Sequence, residues 1–387
     1  MDYRGQLWGV VALAACMAVA IGPGRVQKQG TARRPVELLS IHMVSSTIGW
    51  AATSRSVLRT TRGAKEWLDV TPPGVTLSPM SVEDFLTARI AWVAVTPNGA
   101  ATASIFHTAD GGRTWRRASV ALPSRGLGVQ QIDFVDPLHG WLLVSLGVAA
   151  GSQGVEVLRS IDGGAHWTSV SLTGGTSATP GSLLFSGDKN GIAFRTTSGG
   201  FATGTVAGPP GFAWLYVTHN AGHTWQHQSL PLPLAYQSAF RSGQLSVAPP
   251  GFFTPRDGIL AVSFVLPGQK SATAFYVTHD GGVRWRSTTP LSYVITTTSF
   301  TWAFSDMRHG WATAGKGLYR TTDGGYHWTT MTPNVRLEGV TELDFADLHT
   351  GWALGSVMHG QYSHAFLLQT VDSGATWTPV HPYVVVP

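Results

Sequence analysis

The segment Phe304-Ser305-Asp306-Met307-Arg308-His309-Gly310-Trp311, continued by Thr321-Thr322-Asp323-Gly324-Gly325-Tyr326-His327-Trp328, decides the fold. Its second half, Thr-x-Asp-x-Gly-x-x-Trp, recurs as Thr108/Asp110/Gly112/Trp115, Ser160/Asp162/Gly164/Trp167, Thr278/Asp280/Gly282/Trp285 and Thr370/Asp372/Gly374/Trp377. Thr218/Asn220/Gly222/Trp225 carries Asn for Asp, and Thr60/Arg62/Ala64/Trp67 keeps only the ends. The seven box tryptophans lie 48, 52, 58, 60, 43 and 49 residues apart, the spacing of propeller blades. The first half recurs in phase. Gly49-Trp50, Ala91-Trp92, Gly140-Trp141, Gly191-Ile192, Gly258-Ile259, Gly310-Trp311 and Gly351-Trp352 each follow a large apolar residue by six positions, namely Met43, Phe85, Phe134, Phe185, Phe252, Phe304 and Phe345. Each unit reads as four short strands joined by Asp/Gly turns that tolerate positive φ. The expected fold is all-β: a seven-bladed β-propeller of four-stranded antiparallel blades.

Composition agrees. Of 387 residues, 46 are Gly, 15 are Trp and one is Cys, and only 12% are charged, against about 25% in an ordinary soluble domain. A hydrophobic content of 43% excludes a disordered chain, and a single Cys excludes a disulfide scaffold. Glu occurs only six times, so almost no helix is expected. Twelve of the fifteen Trp occupy repeat positions, so their abundance argues for scaffold rather than sugar stacking. Within the box, the Asp side chain can accept turn amides while Gly takes the strained backbone position. Asp110, Asp162, Asn220, Asp280, Asp323 and Asp372 are therefore expected to be structural.

Residues 1–22 are expected to be a signal peptide or N-terminal membrane anchor, 23–35 a linker and 36–387 the propeller. Leu7–Gly22 carries no charge and falls short of a spanning helix. Ala18-Val19-Ala20 offers a cleavage site, and Leu13-Ala14-Ala15-Cys16 looks like a lipobox that would make Cys16 a lipidation site. Basic residues after the apolar run favour retention instead. An extracytoplasmic location follows from any of these.

The paired motifs resemble the Asp-box, or BNR, repeat of sialidases, and more closely the seven-bladed family named for the photosystem II assembly and stability factor. The resemblance spans roughly residues 36–382 and rests on structural positions. It implies the propeller fold and a non-enzymatic assembly or protein-binding role. A sialidase would need an Arg-Ile-Pro motif, an arginine triad and a Tyr-Glu pair; this chain offers only Arg33-Arg34-Pro35. Glycoside hydrolysis would need two facing carboxylates with separated pKa values, and few carboxylates lie outside repeat positions. A secreted glycan-binding or glycoside-hydrolysing propeller is the alternative reading.

Two candidate sites emerge. His42, Asp84, Asp133 and Asp344 each precede the repeat Met/Phe on the first strand of neighbouring blades. Alternation along a strand puts them on the face opposite that Phe. Such an arc could hold a cation or basic peptide, or simply bond the next blade. The second candidate is the face opposite the constant turns, where variable insertions at 196–211, 266–273 and 356–364 and the connection 226–251 gather. It carries Arg125, Tyr236, Arg241, Lys270, Tyr293, Arg336, His359, Tyr362 and His364. A formal charge of +5 with fourteen His allows pH-dependent binding to an anionic envelope polymer. No metal cluster, cofactor motif or nucleic-acid patch is evident. The expected partner is an unidentified protein or anionic envelope polymer, with membrane association possible through the N-terminus and the chain itself a monomer.

Overall fold

The computed structural model describes residues 32–386 except 79, 98, 123–126, 206–209, 295–299, 315 and 360–361, with the backbone alone at 359 and 362. Cys16, the leader segment and Arg125 lie outside the described residues.

The described strands form seven antiparallel blades around a ring, as expected. Blade 1 is Ser40–Met43, Gly49–Ala52, Val57–Thr60 and Glu66–Asp69; blade 2 is Val82–Asp84, Ala91–Val95, Thr102–Thr108 and Arg116–Ala121. Blade 3 is Gly128–Phe134, Gly140–Ala149, Ser152–Ser160 and Thr168–Thr173; blade 4 is Asp188–Phe194, Gly200–Thr205, Leu215–Thr218 and Gln226–His227. Blade 5 is built on Gly251–Phe252, Gly258–Leu266, Lys270–Thr278 and Arg286–Ser287, with Leu245–Val247 and Leu291–Val294 added at its margins. Blade 6 is Thr301–Phe304, Gly310–Ala314, Gly317–Thr321 and Thr329–Met331; blade 7 is Val340–Phe345, Gly351–His359, Tyr362–Thr370 and Thr378–Val380. One helix occurs among the described residues, Gln237–Ser242. The ring closes through the C-terminus: Tyr383–Val386 runs parallel to Glu66–Asp69 on the outer edge of blade 1, and Ala32–Pro35 pairs antiparallel to it. The end of the stretch read as a linker is thus part of this sheet.

The box is a closed local circuit of hydrogen bonds. In blades 2 to 7 the Thr/Ser hydroxyl accepts the amide of the second box residue with positive φ, Gly112, Gly164, Gly222, Gly282, Gly325 or Gly374, at 2.8–3.0 Å. That hydroxyl donates to the box carboxylate, which also accepts the amide four residues on. Asn220 Oδ1 makes the same two contacts, at 3.0 and 2.9 Å, so Asn replaces Asp without loss of the circuit. Blade 1 has Arg62 at that position, and Thr60 Oγ1 donates instead to Gly63 O at 2.7 Å.

The Phe/Gly-Trp motif packs blades against each other. Trp92, Trp141 and Trp311 lie flat on Phe134, Phe194 and Phe345 of the next blade with ring centroids 3.6 Å apart. Their indole N–H groups donate to the box carbonyls of Gly163, Ala221 and Ser373 in that same blade. Glycine before the aromatic residue is required by this close approach, since a Cβ at Gly140, Gly200 or Gly351 would fall 2.5 Å from the Phe ring. Blade 2 has Ala91 there. Its Trp50–Phe85 stack opens to 5.3 Å, and Trp50 Nε1 turns to Thr87 O.

This packing corrects the sequence register of blade 4. Phe185 and Gly191-Ile192 satisfy the six-residue spacing, but the pair in the repeat position is Phe194 with Gly200-Phe201: Phe194 pairs with Gly200 and carries the Trp141 stack. Asp188 consequently opens the first strand of blade 4. The three expected insertions change character as well. The segment 196–211 contains the strand Gly200–Thr205, and 266–273 and 356–364 are largely strand continued to the hairpin tips of blades 5 and 7.

Candidate functional site

Channel-side residues come from the first strand of each blade. Asp84 Oδ2 accepts the amide of Phe134 at 2.6 Å, Asp133 Oδ2 that of Phe194 at 2.8 Å, and Asp344 Oδ2 that of Met43 at 2.5 Å. His42 stacks on Phe85 with centroids 6.3 Å apart. Each member of the arc therefore contacts the blade that follows its own, the blade-bonding role of the two weighed from sequence. Asp133 is pushed up to about 7 by burial, against the hydrogen bond from Phe194.

Two further channel carboxylates escape the sequence pattern. Glu83 neighbours Asp84 on blade 2, and Glu342 Oε1 accepts the amide of Ile41 at 3.3 Å across the closing interface. Burial raises Glu83 to about 7. Glu342 is held well above the usual carboxylate range, by burial first and then by Asp344 and Glu83. A general acid–base pair needs carboxyl groups whose environments push them apart; here both move the same way.

The variable-loop face brings only some of its candidates together. Tyr236 caps the helix Gln237–Ser242, and its hydroxyl donates to Ser292 Oγ of blade 5 at 3.3 Å. Lys270 and Val294 are paired in that same sheet. Arg241 is exposed in the last turn of the helix. Arg336 stands apart in the blade 6–7 connection, and His364 and Tyr362 belong to the blade 7 hairpin.

The opposite face holds a cluster that sequence reasoning overlooked. Arg59 of blade 1 donates from Nε to Ala88 O of blade 2 at 3.0 Å and lies against Gly111 of the blade 2 box. Burial lowers its pKa first, followed by the neighbouring guanidinium groups of Arg113 and Arg89. Arg116 acts likewise on His107, whose pKa falls through burial and then through that charge. Arg89, Arg113 and Arg116 are exposed. Among the described residues the one Arg–carboxylate ion pair is Arg62–Glu66. The signal available in the sequence was the dense run Arg113-Thr114-Trp115-Arg116-Arg117, which a reading of the box as pure scaffold passes over. Five histidines instead pair with Asp: His139–Asp136, His166–Asp162, His279–Asp257, His309–Asp306 and His327–Asp323.

Among the described residues no group of three or more His, Cys, Asp or Glu is arranged to hold a metal ion. No family model matches the chain, and no curated protein matches its sequence. Solved structures do. YCF48 bound to a D1 peptide is 15% identical and aligns over 90% of this chain and 96% of its own with a TM-score of 0.52. YCF48 from Cyanidioschyzon merolae is 16% identical over 90% of this chain and 99% of its own, with a TM-score of 0.49. The GH74 xyloglucanase from Xanthomonas campestris is 16% identical over 92% of this chain with a TM-score of 0.52, and this chain spans about half, 55%, of its length. The chain has the β-propeller fold of YCF48 bound to the D1 peptide and of the GH74 xyloglucanase.

Proposed function

We propose that this chain is an extracytoplasmic, non-enzymatic scaffold that holds an acidic segment of a partner protein against the box-turn face of blades 1 and 2. The observation that carries the reading is the packing of Arg59 against Ala88 and Gly111 of blade 2, with the Gly111 amide bonded to Arg89 O, which brings Arg59, Arg89 and Arg113 to one place on a face where Arg62–Glu66 is the one Arg–carboxylate pair among the described residues. Guanidinium groups so placed offer bidentate bonds to carboxylates of a ligand. A structural neighbour is bound to a peptide, which supports protein binding as a use of the fold. The channel carboxylates, bonded to backbone amides or displaced in the same direction, favour a scaffold over a glycosidase.

Binding of fluorescent acidic peptides, followed by anisotropy at low and moderate salt, tests the proposal. Arg89→Glu with Arg113→Glu should weaken binding by on the order of tenfold or more and flatten its salt dependence. Unchanged affinity in the double variant refutes the site, and robust turnover of fluorogenic glycosides by the parent protein would favour the glycan-active alternative.

A further inference from the structure

The face opposite the arginine cluster has the make-up of a surface that rests on lipid. Hairpins joining second and third strands run nine or ten residues per strand in blades 3, 5 and 7, against four or five in blades 1 and 6. At about 3.3 Å per residue, four or more extra residues carry these strands roughly 13 Å further than those of blades 1 and 6. The three tips carry exposed aliphatic side chains: Val148 at 60%, Val265 at 58% and Met358 at 66%.

Blade 5 continues the pattern inward. Tyr236 holds φ 58° and ψ 30°, the left-handed region that is costly for an aromatic residue. Its side chain is exposed, as is that of Leu234, while the hydroxyl reaches Ser292. Ser292 pairs with Ala272, and two residues along the same strands Val294 pairs with Lys270, so the two rows share one face of the sheet. Aliphatic, aromatic and cationic groups thus lie side by side. Between Gln226 and Ser305 the only carboxylates are Asp257 and Asp280, both in turns of the opposite face. The exposed Ile161 and Val371 of that opposite face, by contrast, each adjoin a box carboxylate.

We propose that the tips of blades 3, 5 and 7 dock this face flat on an anionic lipid bilayer. The long hairpins of blades 3, 5 and 7 spread their exposed aliphatic side chains around the ring, which suits an extended flat partner rather than a single chain lying in a groove. Val148, Val265 and Met358 enter the interfacial region, Tyr236 sits at headgroup level, and Lys270, Arg241 and Arg336 face the lipid phosphates. The arginine cluster of blades 1 and 2 then points away from the membrane, toward a partner.

Site-specific fluorescence on the full chain tests this. In a Cys16→Ser background, Met358→Cys, Val265→Cys and Val371→Cys are each labelled with an environment-sensitive dye and mixed with vesicles of phosphatidylcholine, with or without phosphatidylglycerol. The expected result is a blue shift at 358 and 265 that requires phosphatidylglycerol and fades with salt, and none at 371. Val265→Asp with Met358→Asp should lower vesicle binding by about tenfold or more at an unchanged melting temperature. Unshifted tip dyes, an equal shift at 371, or a shift indifferent to phosphatidylglycerol overturns the proposal. So does the same shift induced by a soluble acidic polysaccharide without vesicles, which would identify a polymer as the partner. Loss of peptide binding in the Arg89/Arg113 variant would leave these readouts untouched.

Discussion

Gly351→Ala isolates the contact that sets blade spacing. Gly351 lies under the ring of Phe345, and a Cβ placed there would meet three ring carbons at 2.5–2.7 Å. Ordinary contact begins about 1 Å further out, so the ring must retreat. It has little room: its other face stacks on Trp311 at 3.6 Å and Trp377 meets it edge-on at 6.1 Å. Overpacking costs about 1–3 kcal/mol, a weakened aromatic stack about 0.5–1.5 kcal/mol, and disturbance of the Trp311 Nε1 bond to Ser373 O up to about 1 kcal/mol. A total near 3 kcal/mol lowers the melting temperature of a chain this size by about 4–5 °C. The blade 1–2 interface previews the outcome, since Ala91 accompanies a stack opened to 5.3 Å and a redirected indole bond. Calorimetry on Gly351→Ala, alone and with Phe345→Leu, measures the effect. The second substitution removes the ring, so the glycine change should then cost less than about 1 kcal/mol. An unchanged melting temperature for Gly351→Ala, or strict additivity with Phe345→Leu, would refute the reasoning.

Two other predictions concern charge in the wall of the ring. Glu83, raised from 4.5 to about 7 by burial, makes the fold bind more protons than the unfolded chain across that window. Its stabilising contribution is complete below pH 4.5 and is lost as pH rises through 7, at most about 3 kcal/mol and less where channel water screens it. Glu83→Gln should therefore flatten the fall in melting temperature between pH 5 and 8, Asp133 and Glu342 supplying what slope persists; an identical slope in the variant contradicts the assignment. Lys189, 3% exposed, donates from Nζ to Gln153 O, Phe185 O and Gly187 O at 2.8 Å each and sits 5.0 Å from the Trp214 ring. Lys189→Met strands three carbonyls and should cost about 3 kcal/mol at pH 7, read by thermal unfolding; a cost under about 1 kcal/mol would mean that water replaces the ammonium.

Much of the fold was legible because its determinants are local. The hydroxyl–carboxylate circuit of the box closes between residues 108 and 114, so Thr108, Asp110 and Gly112 announce a turn wherever they recur. The Asp84 and Asp133 carboxylates were placeable on a common face by strand alternation, but their acceptance of Phe134 and Phe194 amides spans 50 and 61 residues and is a property of the assembled ring. The arginine cluster was hidden for a related reason. Arg59 and Arg89 belong to different blades and meet Arg113 only once those blades pack.

Sequence by itself determined the number of repeats, the all-β class, the turn chemistry and the identity of the scaffold tryptophans, since each is written in periodicities shorter than one blade. Tertiary structure decided the rest. In blade 4 two aromatic–glycine pairs obey the same spacing, and only the ring of Trp141 in the neighbouring blade selects Phe194 over Phe185. Closure is likewise non-local: Tyr383 finds Glu66, 317 residues away, because the curvature accumulated over seven blades brings the last strand back to the edge of the first blade.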